Sequence, residues 1–214
     1  MAEPLSSAVN RDNDLINKEI VKKFLRLPGQ GRGIHFKNDS EYILSKHGEE
    51  GLKRVEAFLA ENGVKIEYEK IRNLDFYPTG LRIISLLAAV HVFGWSEDDI
   101  RDLGRFASKT SFVVRLYLRY FYSIYKTLEK VAAMWREYWT IGKISVKEHN
   151  EEKRFIILLI EDLDLHPLYC RCLEGYFEGI TKMVVKSQKV ECREMKCVFS
   201  GSGRFRGHEY LITY

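Results

Sequence analysis

Hydrophobic period divides the chain into a helical first two-thirds and a last third in which strands enclose one helix. Residues 15–27 place Ile16, Ile20, Phe24 and Leu27 on one helical face, and Pro28 with Gly29 ends that segment. A second helix is expected near Ser40. A third begins near Gly48, carries Leu52, Val55, Phe58 and Leu59 on one side, and stops at Asn62-Gly63. Residues 81–93 are apolar almost all round, broken by Arg82, Ser85 and His91, which predicts a central buried helix ended at Gly94. Ser96 with Asp99 three residues later has the form of a capping box for the next helix.

From 112 to 138 the steps of three and four are regular through Val113, Leu116, Tyr117, Tyr120, Phe121, Ile124, Leu128, Val131 and Trp135, which predicts a long amphipathic helix. The period then changes. Residues 143–148 alternate and residues 155–160 form a continuous apolar run, two strands joined by a loop at His149 to Glu152. Asp164 and Pro167 open a helix to about Val185. Residues 190–199 and 208–214 close the chain as a strand pair around a Gly-rich loop. The expectation is an α+β fold with an antiparallel sheet, β-β-α-β-β in the C-terminal part, packed against an N-terminal helical layer. Residues 1–14 are polar and read as a disordered tail, and residues 15–214 as a single domain.

Composition narrows the function without naming it. With 34 basic and 30 acidic side chains the net charge is +4, too diffuse a positive field to imply nucleic acid. No apolar run approaches the ~20 residues that span a bilayer. The opening residues lack a secretory pattern, so a cytoplasmic protein with reduced cysteines is expected.

The stretches from Leu165-His166-Pro167-Leu168-Tyr169-Cys170 to Gly175-Tyr176-Phe177-Glu178-Gly179, and then Glu194-Met195-Lys196-Cys197-Val198-Phe199, resemble the 4-vinyl reductase domain. That family belongs to the superfamily of heme–nitric-oxide-binding domains and Golgi vesicle-tethering subunits. The resemblance reaches more weakly to residues 33–63 and 112–139. It implies an antiparallel sheet with helices around it and a sensory, non-catalytic role. Aromatic-sensing members hold a structural zinc through a Cys, a Glu-x-x-Cys and a further Cys. Here Cys170, Glu194 and Cys197 match the first positions, and Phe205 stands where the last is expected, leaving His208 as the nearest donor. Such a set is chemically sufficient for tetrahedral zinc. It requires a bulge near Glu194, because residues three apart on a regular strand face opposite ways. Cys172 or Cys192 are alternative donors, and plain core packing is the competing explanation of all four cysteines.

The superfamily's heme-binding members use a helical His and a Tyr-x-Ser-x-Arg set. The latter is absent here, so heme is expected to be unlikely and zinc is the candidate cofactor. Tyr117, Tyr120, Tyr125, Trp135, Tyr138 and Trp139 are the aromatic side chains that could line a ligand cavity, and Tyr117, Tyr120 and Trp135 with His91 of the apolar helix are the candidate ligand contacts. The acidic group Glu161, Asp162 and Asp164 reads as capping and solvation, and Gly201, Gly203 and Gly207 as a hairpin tip. No nucleophile and base, and no cofactor fingerprint, mark an enzyme. The sequence thus predicts a sensory module that binds a small apolar or aromatic molecule, forming a homodimer through the 112–139 helix. A dimeric interaction scaffold and a heme-binding gas sensor are the alternatives.

Overall fold

The computed structural model describes residues 16–110, 124–200 and 205–214. Among them are six helices and two antiparallel sheets. Helix α1 (Lys18–Leu25) starts where the Asn17 side chain accepts from the Glu19 and Ile20 amides, both at 3.0 Å. Helix α2 (Ile34–Glu61) is two helical stretches joined across a kink, the two that the sequence suggests, although the first begins at Ile34 and not near Ser40. The break is at Gly48, whose φ of 66° and ψ of −172° are open to glycine and costly for other residues. Two short strands that periodicity does not reveal, β1 (Gln30–Arg32) and β2 (Phe76–Pro78), pair into a ribbon that ties the entry of α2 to the entry of α3.

Helix α3 (Thr79–Phe93) is the buried centre, with Ile83, Ile84, Leu86 and Leu87 almost wholly enclosed, and it ends at Gly94 in the left-handed region. Helix α4 (Glu97–Thr110) opens on the reciprocal cap expected from its sequence. Asp99 Oδ2 accepts from the Ser96 amide at 2.8 Å while Ser96 Oγ accepts from the Asp99 amide at 3.3 Å. Of the segment expected as a long helix, residues 124–138 are described and form α5 (Ile124–Tyr138); Tyr117 and Tyr120 lie outside the described residues.

The main sheet is built from β3 (Lys143–Asn150), β4 (Phe155–Glu161), β5 (Glu191–Cys197) and β6 (His208–Thr213), in the spatial order β3-β4-β6-β5 with every neighbour antiparallel. The last strand therefore fills the gap between the first pair and β5. His149 and Asn150 belong to β3, so the turn starts later than the apolar pattern suggests. In β4 the apolar run resolves into alternation: Ile156, Leu158 and Ile160 are buried, and Phe155, Ile157 and Leu159 half-buried. Between β4 and β5 runs α6 (Pro167–Val185). Its cap is His166, whose Nδ1 accepts from the Leu168 amide at 3.1 Å, and not Asp164.

Helices α4 and α6 cross at glycines. A Cβ on Gly104 would lie 2.0 Å from the Cys172 carbonyl oxygen, and one on Gly175 only 1.8 Å from that of Arg101. Bare glycine is what lets the two backbones touch. Alongside them Arg101 donates to Glu174 Oε2 from Nη2 at 2.7 Å, and Arg105 donates to Glu178 Oε2 at 2.9 Å. No helix among the described residues is long and apolar enough to cross a membrane.

Candidate functional site

Two places on α6 gather chemistry, and they lie back to back. The first is where its opening turn meets the ends of β5 and β6. Cys170, Glu194, Cys197 and His208 each bring one ligand-type atom, all within 4.8 Å of one another. The two sulfurs are 3.9 Å apart, Cys170 Sγ is 3.6 Å from His208 Nδ1, and His208 Nδ1 is 2.7 Å from Glu194 Oε1. The strand makes this convergence possible by a register shift between Glu194 and Lys196 in the β5–β6 pairing, the bulge that a Glu-x-x-Cys set requires. Glu194 is held from behind, since Arg171 donates to its Oε2 at 2.8 Å and Glu174 accepts from its amide at 2.6 Å.

The charges in this cluster are mutually arranged. The hydrogen bond from Cys170 pulls the Cys197 thiol down to about 6 against the cost of its burial, with His208 adding to the effect. Cys170 is driven far above the usual thiol range, first by that same hydrogen bond and then by burial. Burial disfavours a charged His208, but its hydrogen bonds to Cys197 and Glu194 outweigh this and lift it to about 9. Thiolate and imidazolium therefore stand side by side near neutral pH. A tetrahedral ion with bonds of about 2.0–2.3 Å needs donor atoms about 3.3–3.8 Å apart. The sulfur and imidazole atoms are already near that spacing.

The second place is a cavity of about 110 Å³ between α5, α6 and the inner face of the sheet. Leu128, Val131 and Trp135 come from α5, Leu173 and Phe177 from α6, and Ile156 and Leu158 from β4. Cys172 faces it, turned away from Cys170 by the helix. Of the side chains proposed from sequence as ligand contacts, Trp135 lines the cavity. His91 does not: it is stacked on Phe58 with ring centroids 4.4 Å apart.

One end of the cavity is polar, formed by His35, Asn38 and Arg82. Arg82 and Asp39 are each 3% exposed and form an ion pair through Nη1 and Oδ2. Ser85 donates to the same Oδ2 at 3.5 Å and shares a 2.7 Å hydrogen bond with the Tyr68 hydroxyl. Arg82 stays charged beside Asp39, while burial lifts Asp39 to about 6 in spite of that guanidinium. His35 stacks on Trp139 at 4.4 Å, and burial, then the nearby Arg82, lower its pKa to about 3, so it is neutral. Its Nε2, Arg82 Nε and Asp39 Oδ1 are buried without any hydrogen-bond partner. Sequence reading missed this pole. Arg82 and Ser85 stand three residues apart on one face of an otherwise apolar helix, which was its available signal.

Comparison with known proteins agrees with the fold and goes no further in sequence. No family model matches the chain, and no curated protein matches it. Among solved structures, a mutant H-NOX protein from S. oneidensis in the Fe(II) ligation state aligns over 85% of this chain and 95% of its own, with a TM-score of 0.65 at 12% identity. An oxygen-binding H-NOX domain related to soluble guanylate cyclases, in its oxygen complex, aligns over 85% and 94% with a TM-score of 0.56 at 14% identity. A structure described as probing heme distortion in the H-NOX family aligns over 86% and 94%, with a TM-score of 0.60 at 15% identity. This chain has the H-NOX fold.

That finding corrects the cofactor expectation, in which zinc was the candidate and heme was set aside for want of a Tyr-x-Ser-x-Arg set. The solved proteins that share the fold are described by their Fe(II) and heme states, so a missing motif is no ground for dismissing heme. A heme asks for an axial donor and for cations near its propionates. His35 lines the cavity and keeps a buried imidazole nitrogen without a partner, the donor type that the first need asks for. Arg82, the guanidinium among the described lining residues, is taken by Asp39, so the second need finds no partner among them. The described residues fit the group in part, and no step is derived through it.

Proposed function

We propose that the chain is a small-molecule sensory module whose ligand occupies the cavity between α5, α6 and the sheet. The observation that carries this reading is the polar end of an otherwise apolar cavity, where the lining residues His35 and Arg82 each keep one buried polar atom without a partner. Leaving such atoms unpaired costs about 1–3 kcal/mol each, a cost that an incoming ligand removes. The H-NOX fold supports the reading, since its solved members are described by their gas-bound and unliganded states.

On this account Cys170, Glu194, Cys197 and His208 form a structural metal site, and their meeting in space supports a 4-vinyl-reductase-type member of the fold. A metal ion there would join the first turn of α6 to β5 and β6. Heme in the cavity, with His35 as axial donor, is a second reading, favoured by the descriptions of the neighbours. In the rival scaffold reading, α5 packs on a second copy of the chain. That reading gives the bare His35 nitrogen no task.

Native mass spectrometry of the freshly purified chain, with its absorption spectrum and metal content, tests all of these together. The module reading expects a mass above that of the polypeptide that is lost on denaturation. A Soret band would make that mass heme. A retained metal ion absent from Cys197→Ser and present in Cys172→Ser would place it in the cluster. A bare polypeptide whose melting temperature no small apolar molecule raises would overturn the module, and a ligand-independent dimer in size exclusion would then favour the scaffold.

A further inference from the structure

The polar end of the cavity carries more information than the fact of binding, because the chemistry of its bare atoms restricts what the ligand can be. Resting on the sensory-module reading, we infer that the cavity takes a neutral molecule with a compact apolar body and one hydroxyl group, whose oxygen meets His35 Nε2.

Size sets the first limit. Apolar cavities of ~150 Å³ accommodate benzene. At about 110 Å³ the space suits a body of a single small ring or a short branched chain.

Charge sets the second limit. Arg82 is neutralised by Asp39 in direct contact, and His35 carries no charge, so the pole offers no net positive field to an anion. A carboxylate or phosphate would be buried unpaired, at a cost far above that of a neutral group. Nor does the paired pole offer a net negative field to an ammonium, which would be buried uncompensated in the same way.

Hydrogen-bond capacity sets the third. The bare atoms of the lining are a donor, Arg82 Nε, and an imidazole nitrogen that can be donor or acceptor according to its tautomer. A hydroxyl both gives and accepts, and so answers His35 in either tautomer. A ketone answers only the protonated nitrogen, and a hydrocarbon answers neither.

The stacking of His35 on Trp139 holds the ring in place before the ligand arrives, with 24° between the planes. Trp139 in turn lies 6.1 Å from Trp135, and both line the cavity. The ligand would therefore report itself through indole fluorescence.

The test uses cyclopentanol and cyclopentane, which share a ring and differ by the hydroxyl, titrated into the full chain and followed by tryptophan fluorescence. The inference expects cyclopentanol to bind about tenfold more tightly, the yield of one net hydrogen bond. His35→Phe keeps a ring against Trp139 and should bind both probes equally. His35→Leu is the second variant, and the wild-type ratio decides should neither variant fold. Equal affinities in the wild type, or a preference that survives in His35→Phe, overturn the inference while the cavity keeps its sensory reading. Failure of both probes to bind overturns it as well, and takes the module with it only where the native mass spectrum also shows a bare chain.

Discussion

The α4–α6 seam and the polar end of the cavity both bury charge, in opposite ways. At the seam each carboxylate oxygen has donors: Glu174 Oε1 accepts from Arg171 and from the Glu194 amide, and its Oε2 from Arg101. Glu178 is met in the same manner by Arg105 and Lys182. At the cavity, the lining residues Arg82 and His35 each leave a nitrogen bare, and Asp39, paired to Arg82, uses one oxygen and leaves the other bare. A fully satisfied network fixes two helices to each other. An unfinished one, beside empty space, is arranged for something that arrives later.

The seam should be the more fragile to volume. In Gly175→Leu the new Cβ would fall 1.8 Å from the Arg101 carbonyl oxygen, so the helices must part and the ion pairs with them. The expected loss is about 3 kcal/mol or more in urea denaturation, up to failure to fold. Stability within about 1 kcal/mol of the wild type would mean the two helices are not closely packed there.

The cavity end should instead be sensitive to acid. His35 has a pKa of about 3 when folded, against 6.5 for the free side chain, so the unfolded chain binds the extra proton between those values. Its contribution is full above about pH 6.5 and is lost as pH falls toward 3, with a slope of up to about 1.4 kcal/mol per pH unit. His35→Asn should flatten the stability–pH curve over that window. An unchanged slope would show that the imidazole is not buried.

A smaller effect marks the start of α6, which both regions share. His166→Ala removes the acceptor of the Leu168 amide and should cost about 1 kcal/mol. Its pKa is lowered to about 4, chiefly by burial, so its removal should also lessen acid sensitivity below pH 6.5. A neutral outcome at pH 8 would mean that Pro167 alone is enough to begin the helix.

What the sequence made legible was local. The Ser96–Asp99 cap, the Gly94 stop, Pro167 in the first turn of α6 and the strands of the main sheet follow from spacing and turn chemistry within a few residues. Cys170, Glu194, Cys197 and His208 could be proposed together because a motif spaced them, and the bulge they need is present. The cavity's polar end had no such help. His35 lies at the entry of α2, Arg82 on α3 and Trp139 just beyond α5, and what joins them is tertiary packing. Arg82 and Ser85 looked like interruptions of an apolar helix because Asp39, which they contact, is more than 40 residues away, the separation being 43 for Arg82. The three-residue strands β1 and β2 are too short for any period to show.

The most direct measurement is the nitrogen spectrum of the imidazole rings in uniformly labelled protein, recorded before and after cyclopentanol is added. The chain has 6 histidines, and His35 is the one with its Nε2 bare against the cavity. The account predicts that the His35 Nε2 resonance moves with saturating dose dependence while those of His47, His91, His149, His166 and His208 stay in place. A His35 resonance unmoved at saturating alcohol, or a shift confined to the other rings, would contradict it.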